Sequence, residues 1–473
     1  MNNYAEFLKH PVFKVVSQIV TENNLEAYVI GGYVRDLLLE RPSKDIDIVV
    51  IGNGLELAEK AAKILRVKNV SFFKNFGTAQ FKYKDLEVEF VGARKESYQR
   101  DSRKPIVENG TLEDDQNRRD FTINALALSI HAKNFGELID PFNGQEDLKN
   151  GLIRTPLNPD TTFSDDPLRM MRAVRFATQL DFKIDPLCLN SILENSNRLD
   201  IISSERIMDE LNKIILSETP SRGFKLLNST KLLHQFFPEM IHLQGIETIN
   251  GKSHKDNFYH TLEVLDNVSK NTADLWLRWS AIMHDIAKPP TKRFDPVVGW
   301  TFHGHEEIGA RMTSKIFKRL KLPLDHKMKY VEKMVRLHLR PIALVKGSVS
   351  DSAIRRLLNE AGDDIDDLMT LCNADITSKN EFKVKRYKEN FDLVRQKLKD
   401  VEAKDHVRNF QPPITGLEIM QTFDLGPCSL VGELKSKIKE AILEGTIKND
   451  HDAAFDYLLG IARENGLERK TAD

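Results

Sequence analysis

Cysteine is nearly absent from this 473-residue chain. Its three cysteines, Cys188, Cys372 and Cys428, lie far apart, which argues against a disulfide framework and a cysteine-rich zinc site. No run of apolar residues approaches the roughly 20 that a membrane span requires. The opening MNNYAEFLKHPVFKVV lacks the basic-then-apolar layout of a signal peptide, so a cytoplasmic protein with no membrane partner is expected. An excess of one charge is lacking too: 69 Lys and Arg face 70 Asp and Glu, a net charge of −1. Proteins that coat nucleic acid are usually more basic. The balance therefore argues against extensive electrostatic wrapping, but it leaves room for a local patch that grips one RNA end. Neither an internal repeat nor a low-complexity linker is visible. What remains, 41% hydrophobic and 29% charged residues, describes a globular protein, and its length calls for about two to four domains.

The periodicity changes along the chain. A helix is expected over roughly Tyr4 to Asn23. AYVIGGYVRDLLL then reads as strand, Gly-Gly turn and helix start near Tyr33. DIDIVVIG is a strand, GLELAEKAAKIL a helix, and TAQFKYKDLEVEFVG two strands around Lys84-Asp85. The polar stretch from Arg94 to Asn117 has little apolar periodicity and reads as a long functional loop ahead of a helix starting near Arg118. From about Gln145 strands almost vanish. The expected fold class is therefore an α/β head on a long helical body.

Gly31 and Gly32 follow a strand directly and let the backbone approach a ligand, with a helix N-terminus facing the same place. Alone they mark only a tight turn. Asp45 and Asp47, at i and i+2 on the next strand, give the turn a context. Both carboxylates share one face while Ile46 and Ile48 point to the core. Two such acids repel unless a cation lies between them, and Mg²⁺ takes oxygen ligands and bridges to phosphates. They are the candidate catalytic pair and head metal ligands. Glu87 and Glu89 share a face of a later strand. Glu89 is the choice for a third carboxylate, with solvent-facing acids an equal alternative.

These segments resemble the signature of class II nucleotidyltransferases, the CCA-adding enzymes and bacterial poly(A) polymerases. IGGYVRDLLL…DIDIVV is followed in the family's order by RRDFTINALAL (Arg118 to Leu128), DPFNGQEDL (Asp140 to Leu148), DDPLRMMRAVRFA (Asp165 to Ala177) and ERIMDELNKIIL (Glu205 to Leu216). The resemblance implies a polymerase-β-like small mixed sheet in the head. It also implies that Asp45 and Asp47 bind metal and that Gly31, Gly32 and Arg35 form the triphosphate turn. Arg118, Arg119, Asp120 and Asn124 would contact the nucleotide's sugar and phosphates. Arginine suits bidentate phosphate binding. Two cations at the expected helix start also oppose the dipole there, which favours a ligand.

Asp166 and Arg169, at i and i+3, are expected to share a helix face. Cytosine and adenine both present an amine donor beside a ring-nitrogen acceptor. A carboxylate accepts from the first and a guanidinium donates to the second, whereas uracil and guanine fail both contacts. One Asp and one Arg thus select CTP and ATP without a template, the use to which the family puts this helix. The first acid is Asp165 where Glu is commoner, a small departure. Arg172 and Arg175 extend the face toward the triphosphate or RNA path. Arg206 either supports this helix or is an exposed charge.

Seven of the 13 histidines fall between His254 and His338. His260, the adjacent His284 and Asp285, and Asp375 resemble the metal set of the HD phosphohydrolase superfamily. His305 and His338 match extra ligands of its two-metal members, and Lys288 also fits. Imidazole with carboxylate suits Mn, Fe, Ni or Zn, and also Mg. An unpaired Asp is expensive beside the apolar WSAIM segment. A structural HD domain without activity is the alternative.

The expected division is 1–145 catalytic head, 146–250 neck for nucleotide recognition and RNA binding, 251–380 HD domain and 381–473 helical tail, a candidate tRNA-binding element. The expected function is Mg-dependent, template-independent addition of CCA to tRNA from CTP and ATP. The rival readings are poly(A) synthesis, partial CC- or A-addition, and a protein whose main activity is HD phosphohydrolysis.

Overall fold

Apolar residues at helical spacing carry α1 (Pro11–Glu22), which buries Val12, Phe13, Val16, Ile19 and Val20. Pro11 sets the first turn, where its missing N–H is harmless, and the His10 ring accepts from the Val12 amide. The helix is shorter than the expected Tyr4 to Asn23, because Pro11 starts it and a separate 3₁₀ turn holds Ala5–Phe7. The computed structural model describes residues 3–73, 77–99, 102–346, 350–377, 381–405, 407–408 and 410–470. The chain forms two compact units, Met1–Pro238 and Glu239–Asp473.

The first unit is built on a seven-stranded sheet. It uses β1 (Ala27–Ile30), β2 (Asp45–Val50), β3 (Val70–Phe73), β4 (Thr78–Tyr83), β5 (Leu86–Gly92), β8 (Ala127–Ser129) and β9 (Leu138–Ile139), in the order β3-β4-β5-β2-β1-β8-β9. Every pairing is antiparallel except β2 with β5, which run parallel. The crossover between them contains α3 (Gly54–Leu65), capped by Asn53, whose Leu57, Ala58, Ala61 and Ala62 are buried. Helix α2 (Gly32–Leu38) leaves β1 through Gly31, at φ +82°. The mixed α/β head expected from the sequence is therefore present.

The stretch 94–117 is not a loop. Arg94–Gln99 (β6) and Ser102–Asn109 (β7) form an antiparallel hairpin of their own, and Leu112–Asn117 forms a short helix, α4. Thr111 and Asp114 close a capping box at its start. Arg118 is the C-cap of α4, so the expected helix start there is wrong, and so is the dipole argument built on it. Cations are favoured at a helix C-terminus.

Helical packing follows, with α5 (Gly144–Asn150), α6 (Pro159–Asp165), α7 (Leu168–Leu180), α8 (Pro186–Asn195) and α9 (Ser204–Ile215). The buried stripe of α7, including Met170, Met171, Val174 and Ala177, packs on that of α9. Asp166 does not share a helix face with Arg169. Pro167 disfavours helical backbone at the residue before it, and Asp166 sits extended at φ −135° between α6 and α7.

The second unit is mostly helical. Asn257–Ser269, Leu275–Met283, His326–Leu337 and Ile365–Ala374 pack on one another, and His305–Leu320 packs on His326–Leu337. Two short hairpins, Thr248–Ser253 and Arg293–Thr301, interrupt the helices.

Candidate nucleotide site and metal centre

The parallel register of β2 and β5 sets Asp45 opposite Glu87 and Asp47 opposite Glu89, so all four carboxylates share one sheet face. Asp45 and Glu87 lie at the exposed end, and Glu87 accepts from Gln80. Asp47 and Glu89 border a cleft of about 340 Å³ with Arg94, Arg118, Arg119, Asp120, Asp166, Arg169, Arg172 and Arg206. Burial raises the Asp47 carboxyl, Arg119 lowers it and Asp45 raises it again. Burial and the neighbouring Asp47 raise Glu89. Crowded carboxylates, half withdrawn from water and facing guanidiniums, are a donor set that fits a hard divalent cation.

Gly31 adjoins this pair. A Cβ there would lie 2.8 Å from Arg119 Nη1 and 3.4 Å from Asp47 Oδ2, so a side chain would displace Arg119, and the positive φ demands glycine.

Arg118 and Arg119 both hold Asp115, a fully buried carboxylate in the first turn of α4. Arg119 Nε and Nη2 donate to Oδ2 at 3.2 and 3.0 Å. Arg118 Nε donates to Oδ1 at 2.9 Å and its Nη2 reaches the same oxygen. Arg169 extends from the first turn of α7 and donates through Nη2 to the Arg118 carbonyl at 2.6 Å. Asp166 enters the same cleft while its Oδ1 accepts from the Leu168 amide at 3.2 Å. The two candidate base readers are thus neighbours in the cleft, though not by helical spacing.

Asp120 and Arg172 line the cleft, and Asn124, Arg35 and Arg175 stand behind them. Asp120 accepts from Arg172 Nε at 2.7 Å and from Asn124 at 3.0 Å, and Asn124 accepts from Arg35 Nη1 at 2.8 Å. Arg35, Arg172 and Arg175 surround the Phe176 ring at 5.0, 5.4 and 4.1 Å. Arg35 and Arg175 do not border the cleft that holds Asp47. Arg175 lies 2.7 Å from the buried Glu210 carboxylate. Burial pulls the guanidinium down to about 10, although Glu210 opposes this. These residues form a largely buried ionic frame that ties α2 to α7 through Asn124 and Asp120. Arg94 and Asp115 carried no recognisable motif; only the fold brings Arg94 to the cleft and Asp115 behind Arg118 and Arg119.

In the second unit, the six expected ligands converge. His260 Nε2 is 2.9 Å from Asp375 Oδ1 and 3.5 Å from Asp285 Oδ2, and His284 Nε2 is 3.2 Å from Asp285 Oδ2. On the other side of Asp285, Oδ1 lies 3.2 Å from His305 Nε2 and 4.0 Å from His338 Nε2. His260, His284 and Asp285 thus make one three-ligand group, and Asp285, His305 and His338 a second. The other ring nitrogens are anchored. Nδ1 of His284, His305 and His338 faces the carbonyls of Ala281, Phe302 and Val335 at 2.7, 2.7 and 2.6 Å, and His260 Nδ1 faces Thr377 Oγ1 at 3.0 Å. A carbonyl only accepts, so those three rings donate from Nδ1 and turn Nε2 inward. Burial would lower the His284 ring, but Asp285 and Asp375 raise it to about 10, so a cation binding there displaces a proton from Nε2. His284 Nε2 and Asp285 Oδ2 are buried and face each other, so the donor set of imidazole nitrogens and carboxylate oxygens turned into one buried space fits a divalent cation. Lys288 Nζ lies 2.5 Å from Asp285 Oδ2.

Three family descriptions match the chain in succession: "Poly A polymerase head domain" over residues 27–154, "Probable RNA and SrmB- binding site of polymerase A" over 181–243, and "HD domain" over 257–378. The A-adding tRNA nucleotidyltransferase of Deinococcus radiodurans is 33% identical over 355 residues, covering 72% of this chain and 78% of that one. The Multifunctional CCA protein of Nitrosococcus oceani is 32% identical over 348 residues, covering 70% and 81%. The crystal structure of the Bacillus stearothermophilus CCA-adding enzyme in complex with CTP shares the fold, with a TM-score of 0.69, 22% identity and coverage of 97% and 99%. A third of residues identical over most of both chains, with head, RNA-binding and HD segments in one order, establishes that the protein belongs to the tRNA nucleotidyltransferase and poly(A) polymerase family.

Proposed function

We propose that the protein adds CCA to tRNA 3′ ends from CTP and ATP. The observation that carries this reading is the single cleft that sets Asp47 and Glu89 beside Asp166 and Arg169. In the step, the tRNA 3′ oxygen bonds to the α-phosphorus, the bond to the bridging oxygen of the β-phosphate breaks, and pyrophosphate leaves. Asp45 and Asp47, with Glu89, would hold Mg²⁺, which supplies activation of the hydroxyl and neutralisation of phosphate charge. Arg118 and Arg119 face the triphosphate. Gly31 lets the phosphates lie against the backbone. The hydroxyl proton leaves to solvent, because Glu89 is committed with Asp45 and Asp47 to the cation. Asp166 and Arg169 read the amine and ring nitrogen shared by cytosine and adenine.

We assign the head to 1–145, nucleotide and RNA recognition to 146–250, the HD domain to 251–380 and a tRNA-contacting tail to 381–473, in a cytoplasmic enzyme. Asp285, His260, His284 and Asp375, with His305 and His338 on the other carboxylate oxygen, would hold Mn, Ni, Fe, Zn or Mg in a phosphohydrolase centre. A second reading, A-addition alone, is favoured by the Deinococcus radiodurans relative, which is named for that activity. The test is incubation of tRNAs ending before, within and after the CC pair with each labelled nucleotide. CMP then AMP incorporation supports CCA addition, AMP on CC-ended tRNA alone supports the second reading, and no incorporation on any RNA overturns both.

A further inference from the structure

Every arginine that lines the inner wall of the nucleotide cleft must be kept away from the carboxylates that bind metal. Arg119 shows the difficulty. Its Nη1 and the Oδ2 of Asp47 both crowd the point where a Cβ of Gly31 would stand. In a cleft partly withdrawn from water, an arginine loose beside Asp47 would close onto it as an ion pair. The pair would occupy the oxygen a cation needs and remove the donor that a phosphate needs.

Asp115 prevents this geometrically. Its side chain is fully buried. One oxygen takes the Nε and Nη2 edge of Arg119 and the other takes the same edge of Arg118. Each guanidinium is planar, so fixing that edge fixes where Nη1 points. For Arg119, Nη1 points to Gly31, and for Arg118 it points to Glu96 at 3.3 Å. The main chain of Arg118 in turn accepts from Arg169, the candidate base reader. One carboxylate therefore sets the phosphate donors directly and the base reader through one peptide group. Burial would raise Asp115, yet Arg119 and Arg118 together hold it below the usual carboxylate range, so the clamp is ionised.

We propose that Asp115 is a positioning residue for nucleotide binding: it clamps Arg118 and Arg119 in the orientation that receives the triphosphate and holds Arg119 off Asp47. It touches no substrate. The inference rests on the nucleotidyltransferase reading of this cleft. Asp115→Asn keeps the shape and removes the charge, leaving an amide donor against two guanidiniums. CTP is titrated calorimetrically into the full chain with Mg²⁺ and no RNA, and tRNA affinity is measured separately. Losing a charge-assisted clamp predicts CTP binding weaker by roughly tenfold to a hundredfold, with tRNA affinity unchanged in a variant shown by circular dichroism to be folded. Wild-type CTP affinity in the variant overturns the proposal, as does an equal loss for CTP and tRNA. Absence of CTP binding by the wild-type chain overturns the underlying reading instead. Should Asp115→Asn fail to fold, Arg118→Gln is compared with Arg118→Gln/Asp115→Asn, where only one guanidinium faces the amide. A further loss of roughly tenfold in the double variant supports the clamp on Arg119, and equal CTP affinity in the two refutes it.

Discussion

Asp166→Asn should erode the preference for CTP over UTP at one of its two contacts. The reason lies in how Asp166 is held. Its Oδ1 accepts from the Leu168 amide at 3.2 Å, which leaves Oδ2 for the cleft. Asparagine has one oxygen. Keeping the bond to Leu168 turns Nδ2 toward the cleft, where a donor replaces an acceptor. The amine of cytosine or adenine then meets a second donor, whereas the carbonyl of uracil gains a partner. A base contact of this kind contributes roughly 1–3 kcal/mol, so the CTP to UTP ratio in kcat/KM should fall by about tenfold to more than a hundredfold. Asn and Asp are equally good at helix N-termini, so stability should hold. Asp166→Ala, in contrast, loses reading and cap together, at about 0.5–2 kcal/mol for the cap. The assay is incorporation of labelled CTP, ATP, UTP and GTP into 3′-truncated tRNA. A variant with normal activity and the wild-type CTP to UTP ratio would refute Asp166 as a base reader.

Asp45→Ala or Asp47→Ala should abolish nucleotide addition while metal content of the HD centre, measured by mass spectrometry, persists; normal incorporation would remove the pair from the chemistry. His284→Ala or Asp285→Ala should empty the HD centre yet leave tRNA extension intact, and loss of extension in a folded variant would show that the modules are not independent. Asp120→Asn tests the buried ionic frame. Burial works against the Asp120 carboxylate, but Arg172 and Asn124 hold it down to about 2 against an ordinary 3.8. A depressed folded value means stability present above pH 4 and lost as pH falls through 2. At 1.36 kcal/mol per unit, the variant should be less stable by about 2 kcal/mol at pH 7, with the gap closing between pH 4 and pH 2 in denaturant titrations. A gap independent of pH would mean that the charge of Asp120 stabilises nothing.

Much of the head was legible because its elements obey one period each. GLELAEKAAKIL became α3 over the expected residues, and Lys84 adopts the positive φ that a tight turn between β4 and β5 needs. The readings that failed did so where a local signal was outweighed by a looser pattern. TLED before Asp115 spells a capping box, yet the eye is drawn to Arg118-Arg119 as a helix start. Pro167 already forbids a continuous helix through Asp166, whose spacing to Arg169 proved coincidental. The hairpin at 94–109 lacks the apolar alternation by which strands are recognised in sequence. Asp115 and Arg94 were illegible for a different reason. Their significance depends on which side chains the fold brings near them, and neither belongs to a spacing rule.

The carbonyls behind the HD histidines have a consequence for how the centre is loaded. In His284, His305 and His338 the anchoring carbonyl belongs to the residue three positions earlier, Ala281, Phe302 and Val335. Ligand orientation is therefore written into single turns of backbone rather than imposed by the ion. An arriving cation would find its imidazoles already oriented and need freeze no ring rotations. The apo domain should remain folded under chelation, unlike small metal-dependent domains whose ligands are ordered only by the metal.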